Sequence, residues 1–99
     1  MTAYLALTHK VADVDKYVGE YVPKVMPLLQ KHGIEVLAAH FGAKAVEGSA
    51  DSLILLRAGS DAAFTAFYND PDYADPKALR LSITSGGNMV IAPEFEMPS

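Results

Sequence analysis

The chain has 99 residues, is 51% hydrophobic, carries a net charge of −4 and contains no cysteine. It is therefore read as one domain, 1–99, with apolar material for a core and a reason to bury more surface by association. Its two arginines, Arg57 and Arg80, and scattered lysines form no basic stripe for a phosphate backbone, which argues against a nucleic-acid partner, and the missing thiol excludes disulfides, thiolate zinc sites, iron–sulfur clusters and a cysteine nucleophile. No run approaches the roughly 20 apolar residues of a membrane span, and no basic-then-apolar leader opens the sequence, so the expectation is a cytoplasmic protein with no membrane partner.

Residues 2–8, Thr-Ala-Tyr-Leu-Ala-Leu-Thr, predict a strand covered on both faces. Asp13 reads as the N-cap of a helix whose apolar residues Val14, Val18, Tyr21, Val22, Val25, Leu28 and Leu29 recur at helical spacing up to Lys31-His32-Gly33, a basic-then-glycine stop. Pro23 and Pro27 each remove an amide donor, which predicts a kink or split near Val22 and a wider cleft beside it. Ile34–Phe41 and Ser52–Ala58 predict two further strands around a turn through Gly42 and Glu47-Gly48. Ser60 caps the next helix, where Phe64, Phe67 and Tyr68 stand at i, i+3 and i+4 and share one face. Asn69-Asp70-Pro71 ends it. Asp75-Pro76 predicts an N-cap and a proline at the first helical position of a short helix carrying Leu79, Arg80 and Ile83. Gly86-Gly87 is expected to stop that helix, and Asn88 to Ala92 to form the last strand.

The order strand, helix, strand, strand, helix, strand is the split βαβ pattern of a ferredoxin-like α+β sandwich, a four-stranded antiparallel sheet with helices on one face. Strands such as Leu53-Ile54-Leu55-Leu56 have no evident solvent side, which predicts a homodimer packed through the open sheet face. From Ala3 to about Ala92 the chain resembles the domain of unknown function 1330 family of the dimeric α+β barrel superfamily. The residues that carry the resemblance are Tyr17, His32-Gly33, Glu47-Gly48, Ala66-Phe67-Tyr68, Pro71-Asp72-Tyr73 and Leu79-Arg80. Ile34 stands where the family often has a second glycine, and Asp70 where it often has a serine. The resemblance implies a dimeric barrel with a cleft between helices and sheet, in a superfamily that includes cofactor-free monooxygenases, lactone isomerases, dehydratases, heme enzymes and proteins without demonstrated activity. Fold alone leaves the reaction open.

His9, at the predicted end of the first strand, is the first acid–base candidate, because histidine titrates near neutral pH and strand ends border pockets. The alternative is a half-exposed residue with no chemical task. His40 shares the parity of Ile34, Val36 and Ala38, which places it among apolar groups as a buried, singly hydrogen-bonded histidine or as a ligand contact. His32 reads as helix-end chemistry. No histidine pair has ligand spacing, so no metal site is expected, while a lone heme ligand stays open. Arg80 either holds a carboxylate or enolate oxygen through two parallel hydrogen bonds or pairs with Asp70, Asp72 or Asp75. Glu47 is a general-base candidate or an exposed turn residue. Tyr17 and Tyr21, four apart, present phenols toward the cleft of Phe67 and Tyr68, as core or as pocket wall. No nucleophile elbow, phosphate loop or dinucleotide fingerprint is present.

The expected function is binding of a small carbonyl, lactone or phenolic compound, with cofactor-independent proton transfer of isomerase, lyase or oxygenase type. His9, Arg80 and Glu47 are the expected catalytic groups, and Tyr17, Tyr21, His40, Phe67 and Tyr68 the substrate contacts. The alternative is a non-catalytic binding or stress-associated dimeric module.

Overall fold

The computed structural model describes residues 2–49 and 51–96. Four strands, β1 (Ala3–Val11), β2 (Glu35–His40), β3 (Leu53–Ala58) and β4 (Thr84–Pro93), form one sheet in the order β2-β3-β1-β4, with every neighbouring pair antiparallel. This is the ferredoxin-like arrangement. On β1 burial alternates: Ala3, Leu5, Leu7 and His9 are buried, and Tyr4, Ala6 and Thr8 are half-buried. The buried set joins Leu56 and Ala58 of β3 and, from the helices, Tyr17, Tyr21, Val25, Phe64, Phe67 and Ile83 in one core. A side chain such as Phe64, 1% exposed, contributes about 1.5–3 kcal/mol by leaving water.

The first helical segment opens as predicted, with the Asp13 carboxylate accepting from Lys16 N–H at 2.9 Å. It then changes register: α1 (Val14–Lys16) passes into a π turn, Tyr17–Tyr21, before α2 (Val22–Lys31). Val22 N–H donates to the Tyr17 carbonyl, five residues back. Pro23 has no N–H to offer Gly19, so the α ladder loses little by breaking here. The wider turn has a packing consequence. A four-residue step in an α-helix overshoots a full turn by about 40°, whereas the π turn undershoots, so Tyr17, Tyr21 and Val25 all remain on the buried face. The α2 terminus is a Schellman motif: Gly33, at φ 68°, donates to Gln30 O at 3.1 Å, and Ile34 donates to Leu29 O at 2.8 Å.

Three expectations are corrected. Helix α4 (Ala74–Ile83) starts before Asp75-Pro76, which lie in its first turn. The side-chain cap is instead Asp70, which accepts from Asp72 N–H at 2.9 Å and opens a 3₁₀ turn, Pro71–Tyr73, leading into the helix. This local Asx geometry is available to any aspartate two residues before a free amide. Gly86-Gly87 does not stop the helix but lies inside β4. Thr8 pairs with Asn88 and Lys10 with Ser85, so His9 alone faces both glycines in a bulge. Both have positive φ, 61° and 76°, and a Cβ on Gly87 would lie 1.6 Å from Thr8 O. Strand β4 thus crosses His9 at a distance that only glycine permits. Finally, His40 is exposed, not buried. A bulge between Val36 and Ala38 breaks the parity of β2: Val36 pairs with Leu56 on the helix side, while Ala38 and His40 pair with Leu55 and Leu53 on the opposite side.

That opposite face carries no helix. Its centre is apolar, with Ala6, Leu55 and Ala38 beside Val90, which is 56% exposed. One end carries polar pairs, Arg57 to Glu35 at 2.8 Å and Tyr4 to Glu94 at 3.3 Å.

Candidate functional site

A cavity of about 390 Å³ lies between β1 and β4 of the sheet and the helical layer of α3 (Asp61–Tyr68) and α4. Ser60 fixes the start of α3 by accepting from Ala63 N–H at 3.3 Å, and the helix then turns Phe64 and Phe67 inward. Leu5, Leu7, Phe64, Phe67, Met89 and Ile91 supply the apolar wall, and Tyr68, Asn69 and Asn88 supply polar tips. His9 and Arg80 also line it. None of its lining residues is an aspartate or glutamate.

His9 is 4% exposed and is held from the side by Ser52, itself 1% exposed. The Ser52 hydroxyl donates to His9 O at 2.7 Å and accepts from His9 N–H at 3.3 Å. Its only proton is therefore committed, so the ring contact of 2.8 Å must run from Nδ1–H to Ser52 Oγ. This fixes the tautomer and leaves Nε2 with a lone pair. Among the described residues Nε2 is the one buried side-chain polar atom without a partner. Burial, and after it the Arg80 charge, lower the His9 pKa from its ordinary value, so the ring is held neutral. Tyr17 braces the ring edge-on at 5.5 Å.

Arg80 is 6% exposed. Its Nε–H donates to Tyr73 OH at 3.3 Å, and Tyr73 OH lies 2.7 Å from Tyr21 OH. The expected alternative, a pairing with Asp70, Asp72 or Asp75, does not form. Asp70 is taken by Lys31 Nζ and His32 Nε2, both at 2.8 Å. Hydrogen bonds from Lys31, His32 and Asp72 N–H hold the Asp70 carboxyl well below the usual range. No ion pair to Arg80 occurs among the described residues. A buried cation without a counter-ion is costly, and its open side is the cavity.

Of the expected site residues, His9, Arg80, Phe67 and Tyr68 come together on this cavity. Tyr17 and Tyr21 line an adjoining apolar cavity of about 160 Å³ that shares Leu5, Leu7, Phe67 and Met89 with the first. Burial, chiefly, pushes the Tyr17 phenol up to about 12 and raises that of Tyr21 as well, so both stay protonated at neutral pH. Glu47, exposed in the loop after β2, and His40, on the far sheet face, line neither cavity. Sequence reasoning missed Ser52 and assigned Gly86-Gly87 to a helix stop. A lone serine opening a strand carries no signal, whereas two adjacent glycines beside a strand are a bulge signature that was available.

A family model described as Domain of unknown function (DUF1330) matches residues 2–95. A protein of unknown function from Rhodopseudomonas palustris, 17% identical, superposes with a TM-score of 0.73 over 97% of this chain and 83% of that one. An uncharacterised NIPSNAP domain protein from Burkholderia xenovorans, 12% identical, reaches 0.64 over 100% of each chain. A dimeric ferredoxin-like protein of unknown function from Thermobifida fusca, 17% identical, reaches 0.57 over 95% and 92%. At these identities the likeness is one of fold. No curated protein matches the chain.

Proposed function

The chain belongs to the family described as Domain of unknown function (DUF1330), and from that premise we propose that it binds a small organic molecule in the His9–Arg80 cavity and moves a proton on it. The carrying observation is the His9 Nε2 atom, buried and unpartnered in a residue that lines the cavity. Entry of the ligand parts the side chains that close over Nε2, which then takes a proton from an acidic C–H or O–H of the ligand. The electron pair left behind moves onto a conjugated oxygen facing the Arg80 guanidinium, and return of the proton to another atom completes an isomerisation. Tyr73 orients Arg80, and Ser52 holds the imidazole. No cofactor is called on by this chemistry.

The reading is tested by deuterium wash-in. Wild-type protein in D₂O is expected to exchange the carbon-bound protons next to the carbonyl of small ketones or lactones, seen by proton NMR, with the rate reduced at least about 100-fold in His9→Gln. Equal rates in wild type and variant would remove His9 from the chemistry. A non-catalytic binding role is favoured by one observation: the three contacts of Ser52 with His9 also knot β1 to the segment before β3. Binding without exchange is its signature.

The open sheet face supports a homodimer. Its apolar centre and polar end have the layout of an interface core and rim, and the Thermobifida fusca neighbour is described as dimeric. Light scattering is expected to give the mass of two chains for the wild type and of one chain for Val90→Lys, which places an ammonium in the apolar row that crosses the face. A wild-type monomer at micromolar concentration would sink the claim.

A further inference from the structure

The geometry points to a small hydroxy acid as the ligand: an anion carrying one carboxylate for Arg80 and one hydroxyl for His9. This rests on the cavity reading above and narrows it to a ligand chemistry.

Arg80 supplies the first requirement. Its guanidinium is buried, only Nε is engaged, by Tyr73, and no acid lines the cavity. The two terminal nitrogens make no hydrogen bond to a described residue, and unlike His9 Nε2 neither is sealed from solvent. A guanidinium in this state is matched by a planar carboxylate accepting two parallel hydrogen bonds. Of the acids that precede it, Asp70 is held by Lys31 and His32, and neither Asp72 nor Asp75 forms an ion pair with it among the described residues. The cation is thus left without a counter-ion from its own segment.

His9 supplies the second requirement. With Nδ1–H given to Ser52, Nε2 can only accept. Nε2 is closed over in this structure, so the ligand must part the side chains around it on entry; a hydroxyl then satisfies it, whereas a ligand without one forfeits a buried hydrogen bond. Size supplies the third. At about 30 Å³ per water, a cavity of about 390 Å³ holds roughly a dozen water-sized groups. Phe64, Phe67 and Met89 offer an apolar surface for the body of the molecule.

Hydroxybenzoates have this size and both groups, and their meta and para isomers span two separations between them. Binding to the wild-type protein at pH 7.5 is measured by calorimetry, with amide NMR locating the ligand. The better of 3- and 4-hydroxybenzoate is expected to bind at least tenfold tighter than its carboxamide, which lacks the charge, and several-fold tighter than benzoate, which lacks the hydroxyl. Arg80→Met is expected to erase the preference for acid over amide. Should that variant not fold, the ligand series on the wild type decides alone. Amide binding as tight as acid binding at the cavity residues overturns the hydroxy-acid assignment while leaving the cavity reading intact. If neither acids nor neutral phenols and ketones perturb cavity residues, both readings fall.

Discussion

Gly87→Ala is expected to be the most damaging single-methyl change in the chain, costing at least about 4 kcal/mol. The added Cβ would lie 1.6 Å from Thr8 O, 2.5 Å from Thr8 C and 2.7 Å from His9 Cα. These are backbone atoms of a central strand, so no side chain can swing aside. Since small domains hold only about 5–15 kcal/mol in total, the variant is expected to be largely unfolded or to lose the β1–β4 register. Gly86→Ala is the control. It has a similar positive φ, 61°, but open space around the new atom, so only the left-handed backbone penalty of about 1–2 kcal/mol applies. Urea titrations followed by circular dichroism measure both. A Gly87→Ala midpoint close to that of Gly86→Ala would show that the strands do not approach this closely. The consequence for function is direct, because the same crossing forms the His9 end of the cavity.

Ser52→Ala is expected to cost about 2–4 kcal/mol and also to change the chemistry of His9. Removing one hydroxyl takes a partner from His9 N–H, His9 O and His9 Nδ1 together. Stability reports the backbone part of this loss, and nitrogen NMR of the imidazole reports the rest. The wild-type ring is expected as a single neutral tautomer with the proton on Nδ1, whereas the variant populates both, which lowers the fraction with a free Nε2 lone pair. An unchanged tautomer in Ser52→Ala would mean that another group orients the ring. The pH dependence has a defined sign. The folded His9 pKa lies below its unfolded value of about 6.5, so below that pH the unfolded chain binds a proton that the folded chain refuses. The His9 contribution is fully present above about pH 6.5 and is lost as pH falls toward the folded value. In His9→Gln that slope is expected to disappear.

The separation between what was legible in the residues and what was not follows the range of the interaction. Asp13, Ser60 and Gly33 declare their helix ends because each cap joins groups within five residues, where chain geometry alone brings partners together. The strand and helix order follows from apolar periodicity, and with it the ferredoxin-like sheet. Pro23 announced a break near Val22, although that the break is a π turn keeping Tyr17 and Tyr21 inward depended on the core they pack into. The resemblance of Phe67, Tyr68, Pro71, Tyr73 and Arg80 to the family pattern pointed to the family that the whole-chain match bears out.

His40 shows where periodicity stops. One bulged residue in β2 reverses the side on which every later residue lies, and nothing local to Val36-Leu37-Ala38 marks it. His9, Ser52, Gly87 and Arg80 show the larger limit. Residue types nominated His9 and Arg80, but their chemical state is set by partners far along the chain. Ser52, 43 residues from His9, selects the tautomer, and Gly87 lets β4 cross the same residue. Lys31 and His32, 39 and 38 residues from it, take up Asp70. The sequence by itself determined the elements, their order and the family, because those depend on short-range geometry and on which side chains avoid water. Only the tertiary structure decided that one imidazole nitrogen is left buried with its lone pair unused and one guanidinium without a carboxylate, since both are statements about which distant groups do not meet.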